Sequence, residues 1–210
     1  MPETGPGLLQ AVGQDVSRET CDRLECHRTL LKKWNPAINL VAPSTIDESW
    51  SRHIVDSAQV FAAMPTQARS WLDFGTGGGF PGVVCAILAA ELSPHVKFTF
   101  VESDKRKCAF LSTVLRETGV SGTVLAERIE SLQPRNADVV SARAVAALPE
   151  LLNYAAPHLA PGGVCLFPKG ARVDDEIDAA RAYFRFKLER RPSITDSNAV
   201  ILVLGEIERV

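Results

Sequence analysis

The sequence predicts a doubly wound α/β fold with a mostly parallel sheet, preceded by a helical extension. Two observations carry this. From Ser70 onward, short apolar runs alternate with helix-length stretches, the layout of βαβ units. Before Ser70, apolar residues recur at helical spacing, with no strand-like alternation. At 210 residues, 46% hydrophobic and 23% charged, the chain has enough apolar material for a full core.

The elements follow in order. Cys21, Leu24, Leu31 and Trp34 mark one helical face, and Asn35-Pro36 is expected to stop that helix, because a residue before proline avoids the helical region. Thr45-x-x-Glu48 reads as a capping box opening a second helix, with Ile46, Trp50, Ile54 and Phe61 on one face and Pro65 at its end. Residues 1–68 are thus expected to form a helical cap, and 69–210 the α/β core. Strands are expected over 71–74, 97–101, 123–126, 138–141 and 164–167, and helices over 81–92, 104–118, 148–159 and 174–182. Pro161-Gly162-Gly163 reads as a turn before the fifth strand. The runs 183–188 and 199–206 have no helix between them, so they are expected to pair antiparallel at the sheet edge, giving seven strands in all.

Composition excludes some roles. A formal net charge of −2 rules out a general polyanion binder and confines nucleic-acid contact to local basic patches. No apolar run approaches membrane-span length, and residues 1–13 lack the layout of a signal peptide, so a cytoplasmic protein is expected. Five scattered cysteines without a CxxC pair read as reduced structural thiols. Cys26-His27 has no second ligand pair, so no metal is expected.

The chemistry concentrates in Asp73-Phe74-Gly75-Thr76-Gly77-Gly78-Gly79-Phe80-Pro81-Gly82. Glycines between a strand end and a helix start allow a tight turn and close approach to a ligand, and the helix N-terminus favours an anion. Asp73 would face a ligand ammonium. Glu102, at the end of the next strand, is placed to accept two ribose hydroxyls. These features fit S-adenosylmethionine. Nicotinamide binding is the rival reading, since Gly77 to Gly82 formally matches G-x-G-x-x-G. In the frame that starts at Gly75, however, the sixth position is Phe80, too large for close helix–strand packing.

Other segments extend the pattern: Trp34-Asn35-x-x-Ile38-Asn39-Leu40, Arg52-His53-Ile54-x-Asp56-Ser57, Val101-Glu102-x-x-x-Lys105-Arg106, Phe110-Leu111, Arg143-Ala144 and Lys169-Gly170. With the glycine loop, they make the chain resemble the bacterial small-subunit ribosomal RNA guanine-N7 methyltransferases, also called glucose-inhibited division protein B, from about Leu31 to Gly170. The resemblance implies a methyltransferase of the S-adenosylmethionine-dependent, Rossmann-like class. Gly75, Gly77, Phe80, Glu102, Ile129, Glu130 and Arg143 would be its cofactor-binding residues. Its implied partner is 16S ribosomal RNA in the small subunit, met by a monomer without membrane or metal. The sequence departs from the family where Ala142 separates Ser141 from Arg143.

Guanine N7 carries a free lone pair, so its methylation needs alignment rather than a base. Arg143 is the candidate positioning residue of catalysis, toward substrate phosphate or the guanine O6; a buried ion pair with Asp56 or Glu130 is the other reading. Arg52, His53 and Lys169 are candidate RNA contacts, with a capping or core role equally open for His53. Lys105-Arg106-Lys107 reads as a solvated first helical turn. The stretch 181–191, basic with interleaved aromatics, reads as a solvated edge strand ahead of an RNA grip.

Overall fold

The computed structural model describes residues 7–210; residues 1–6 of the expected cap, and with them part of the stretch read for a signal peptide, lie outside the described residues. The described chain opens with α1 (Leu8–Val12) and α2 (Arg18–Ile38). A 3-10 turn (Pro43–Thr45) and a π-helical turn (Trp50–Val55) then lead into α3 (Asp56–Ala62). The α/β part follows as β1 (Ser70–Phe74), α4 (Gly82–Leu92), β2 (Lys97–Val101), α5 (Lys105–Thr118), β3 (Thr123–Leu125) and β4 (Ala137–Ser141). It ends with α6 (Leu148–Ala155), β5 (Leu159–Lys169), α7 (Val173–Arg181), β6 (Phe184–Pro192) and β7 (Val200–Arg209).

Among the described residues, seven strands form one sheet in the order β3-β2-β1-β4-β5-β7-β6. The first five pair parallel, as crossover helices require. The C-terminal pair is antiparallel, with β7 inserted between β5 and β6. The expected topology holds, and so does the absence of a helix between the last two strands.

Three local expectations fail. Asn35-Pro36 does not stop the first helix, which runs on to Ile38 with Pro36 inside its last turn. The stop comes from Asn39, in the left-handed conformation at φ 49°, and from the buried Asn35 Oδ1, which accepts the Leu40 and Val41 amides at 2.8 and 2.9 Å. Thr45 caps no helix; it closes the 3-10 turn, and its hydroxyl donates to the Ala42 carbonyl. Pro161-Gly162-Gly163 lies inside β5, where the register against β4 shifts between Ala137 and Val139, so the extra residues bulge instead of turning.

The apolar residues of α1, α2 and α3 share one core with α4 and α5: Leu24, Leu31, Ile54 and Ala58 are buried with Val83, Ile87 and Phe110. Ser17 caps α2 through the Thr20 amide, and Glu91 at the end of α4 accepts from the Ser17 amide, the Ser17 hydroxyl and the Thr20 hydroxyl. A second core lies on the other face of the sheet, under α6 and α7. No helix among the described residues is long and apolar enough to cross a membrane.

Candidate functional site

The carboxyl ends of β1, β2, β4 and β5 converge on one rim, where ligands of open α/β sheets bind. The loop after β1 needs its glycines: Gly75, Gly77 and Gly79 have φ of 63°, 52° and 89°. At Gly75 close approach matters as well, since a Cβ there would fall 2.4 Å from Val145 Cγ2. The Gly75 amide donates to the Val101 carbonyl at 2.8 Å and Gly77 donates to Glu102 Oε2 at 3.0 Å, so β2 carries the loop. Glu102 also accepts from the Asp104 amide at 2.9 Å and is 8% exposed, an oriented carboxylate with lone pairs to spare.

Two hollows border this loop, and a third meets one of them at Arg143 and Ala144. A lateral cavity of about 190 Å³ is lined by Phe74, Gly75, Glu102, Ile129, Glu130 and Val145, among others. A loop cleft of about 530 Å³ runs past Gly75 to Gly78, Phe80, His53, Lys107 and Arg143. A cap cleft of about 780 Å³ lies between the Trp50–Val55 turn, the end of β5 and the β6–β7 loop. Arg143 and Ala144 line both large clefts. Gly75, Glu102, Ile129 and Glu130 are thus brought together, with Gly77 in the adjoining cleft.

Asp73 sits elsewhere than expected. It is fully buried, lines none of these hollows, and packs against the first residue of α4, where a Cβ on Gly82 would lie 2.6 Å from Asp73 Oδ2. A missing side chain at Gly82 lets the helix settle onto the carboxylate. Its Oδ1 accepts from the Ser141 hydroxyl at 2.5 Å, which itself accepts from Trp71 Nε1 at 2.7 Å. Asp73 Oδ2 has no hydrogen-bond partner among the described residues. Burial pushes the Asp73 carboxyl up to about 7, with the Ser141 hydroxyl opposing the rise. So Asp73 and Ser141 tie β1 to β4 beneath the loop. The α4 N-terminus is also less open than a free helix end, because the Val83 amide is already bonded to Gly79 O.

Phe80 is the pivot between cap and core. Its ring is 3% exposed, 4.9 Å from the His27 ring and 5.0 Å from the His53 ring, with the Arg143 guanidinium 4.9 Å over its face. His27, on α2, is wholly buried, and its Nε2–H donates to the Gly78 carbonyl at 2.8 Å. Burial lowers His27 to about 4. Sequence reading assigned His27 no role; its only signal was a polar residue on an otherwise apolar helical face.

Arg143 makes the ion pair that was one of its two expected readings. Its Nη1 lies 3.1 Å from Asp56 Oδ2 and donates to the Arg52 carbonyl, while Nη2 donates to His53 Nδ1 at 3.1 Å. His53 Nε2 in turn meets the Thr45 hydroxyl at 2.8 Å. With the hydroxyl proton on Ala42 O, His53 must donate from Nε2 and accept at Nδ1, a neutral imidazole. Burial and the charge of Arg143 lower His53 to about 3. His53 is therefore a bridge between the cap turn and Arg143. Desolvation lowers the Arg143 pKa, and Asp56 counters it.

Arg52 is exposed at the rim, 3.7 Å from Glu48. Lys169 is paired with Glu176 at 2.7 Å and donates to the Ala146 carbonyl. On the β6 edge, Lys187, Arg190 and Arg191 pair with Glu206, Asp174 and Glu189, as a solvated face would. Sequence reading also missed Gln59. Its Oε1 accepts from the Ile194 amide at 2.8 Å, and its Nε2 reaches the Ser193 and Thr195 hydroxyls at 3.3 Å.

Residues 20–200 match the family model described as rRNA small subunit methyltransferase G. The chain belongs to the rRNA small subunit methyltransferase G family. A family relative from Cereibacter sphaeroides, a ribosomal RNA small subunit methyltransferase G, is 54% identical over 93% of this chain and 95% of its own. The same-named protein of Rhodospirillum centenum is 52% identical over 91% of this chain and 87% of its own. Among solved structures, a TehB-like SAM-dependent methyltransferase from Corynebacterium glutamicum superimposes with a TM-score of 0.53 at 15% identity, covering 71% of this chain and 86% of that one; that likeness bears on fold alone.

Proposed function

We propose that this chain transfers a methyl group from S-adenosylmethionine to N7 of a guanine in 16S ribosomal RNA of the small subunit, in the cytoplasm, as a monomer. The observation that carries the reading is the glycine loop of a small-subunit rRNA methyltransferase family member, hinged on Glu102 and opening onto a cleft that meets the cap cleft at Arg143.

The residues fit the cofactor. Glu102 presents an anchored carboxylate to a pair of hydroxyls. Phe74, Val101, Ile129 and Val145 give the lateral cavity apolar walls for a flat ring, with Glu130 at its rim. Gly75 leaves no Cβ in the way, and Gly77 continues the loop alongside. Phe80 forms the cleft floor below. When bound, S-adenosylmethionine supplies an electrophilic methyl on a sulfonium.

The residues of this chain then align and shield. N7 attacks with its own lone pair, so no side chain has to remove a proton first. Arg143, held by Asp56 and by neutral His53, keeps free N–H donors at the junction of the clefts and acts as a positioning residue there. Arg52, exposed at the rim of the cap cleft, flanks the incoming RNA, and Lys169, paired with Glu176 inside the cleft, lines its path.

The test is incubation with methyl-labelled S-adenosylmethionine and small subunits lacking their native modifications, beside naked ribosomal RNA, transfer RNA and DNA. Label recovered as N7-methylguanosine from small-subunit RNA is the expected result. Absence of label there, with the cofactor still bound, overturns the substrate assignment and leaves the fold.

A further inference from the structure

The cap cleft is the largest of the three hollows at the rim, and its charges are largely spent. Its two buried cations already have partners: Arg143 on Asp56 and Lys169 on Glu176, with the four side chains 10–20% exposed. Around the whole cleft, four carboxylates (Glu48, Asp56, Glu176 and Asp196) face three cations. Such a lining disfavours a phosphate and suits a neutral heterocycle that brings N–H donors.

The carboxylate left over is Asp196, in the β6–β7 loop. Its Oδ1 accepts from the Asn198 amide at 2.9 Å; its Oδ2 has no partner among the described residues. The loop is held in place. Gln59 bonds Ser193, Ile194 and Thr195, and Asp56 Oδ1 accepts from the Thr195 hydroxyl at 3.0 Å. Asp56 therefore fixes Arg143 on one side of the cleft and the Asp196 loop on the other, so both walls share one anchor.

Guanine is asymmetric in a way that matches this cleft. N7 and O6 are acceptors on one edge, and N1–H and the N2 amino group are donors on the opposite side. A base taken out of its stack, with N7 toward the loop cleft, puts O6 near the Arg143 donors and points its N–H edge across the cap cleft. The geometry points to the cap cleft as the seat of the flipped target guanine, with Asp196 accepting from its N1–H and N2 amino edge. Adenine, which carries an acceptor at N1, would meet a carboxylate there and be rejected. This inference rests on the proposed function and names the base-reading residue of that site.

Asp196→Asn tests it, because the amide keeps an oxygen for the Asn198 N–H and replaces the free oxygen with a donor. The expected result is a fall of tenfold or more in kcat/KM on small subunits, with S-adenosylmethionine affinity by calorimetry within twofold and an unchanged melting temperature. The second arm is small-subunit RNA ligated with inosine at the methylated position, which lacks the N2 amino group. Wild type should lose activity on inosine, and Asp196→Asn should lose proportionally less on that change, since inosine lacks one of the two bonds that Asp196 accepts. Equal proportional losses on guanine and inosine, or kcat/KM within twofold of wild type, overturn the subsite. Wild-type protein that leaves small subunits unlabelled overturns the function itself, so the two failures are distinct.

Discussion

The two sides of the rim are built differently. The glycine-loop side is made of backbone: left-handed glycines, an amide on the Val101 carbonyl and another on Glu102, all within residues 73–104. The cap-cleft side is made of side chains that meet across long stretches of chain, Arg143 on Asp56, Lys169 on Glu176, Gln59 on the 193–195 loop. A backbone site is written in consecutive residues, because conformation is a local property. A side-chain site is written nowhere locally, because its members are joined only by folding.

That difference sets what sequence could disclose. The strand and helix order, the seven-stranded sheet and the loop with Glu102 were legible from periodicity and glycine placement. Thr45 misled because a hydroxyl three residues ahead of a glutamate has the form of a cap, whereas its actual partners are the Ala42 carbonyl and His53. Pro36 misled because Asn35 supplies the stop from within the helix. Asp73 was placed at the ligand because Gly82, which lets α4 settle on it, reads as just another loop glycine. Asp56 stood in a motif and was one of two named partners for Arg143, but nothing short of the fold could choose it over Glu130.

The largest effect should come from the side-chain wall. Asp56→Ala leaves the mostly buried Arg143 charge unpaired and should cost about 3 kcal/mol in urea denaturation; a loss below about 1 kcal/mol would show the pair to be dispensable. On the backbone side, Gly75→Ala combines left-handed strain with a collision against Val145, about 2 kcal/mol, and should weaken S-adenosylmethionine binding more than tenfold by calorimetry. Unchanged affinity would place the cofactor elsewhere.

His27→Phe separates the two kinds of construction, since it keeps the stack on Phe80 and removes the bond to the Gly78 carbonyl. At pH 7 it should cost about 1 kcal/mol. Its effect on pH dependence is more specific. His27 is held near 4, below its ordinary 6.5, so its contribution is present above pH 6.5 and lost as pH falls through about 4. The variant should therefore lose part of the acid destabilisation between those limits, while His53, lowered to about 3, keeps its own share. Asp73, raised to about 7, has the opposite sign: its contribution is full below about 4 and lost as pH rises through 7. A pH profile identical to wild type would show His27 to be titrating unperturbed. Arg190→Ala, which removes an exposed pair with Asp174 on the β6 edge, should change stability by under about 0.5 kcal/mol and leave methylation of small subunits unaltered. A marked loss of RNA affinity would reinstate that edge as an RNA contact.

His27 of α2 bonds the glycine loop directly, Leu31 lies beside Gly78, and α2 shares its core with α4 and α5. The docking of α2 and the occupancy of the loop are therefore linked. Whatever occupies the loop also opposes the peeling away of α2, by about 2.7 kcal/mol at a hundredfold excess over its Kd. Amide protons of α2 should exchange more slowly when the cofactor is present. By the same reciprocity, a substitution that loosens α2 from its core should speed cofactor dissociation without altering one contact in the binding cleft.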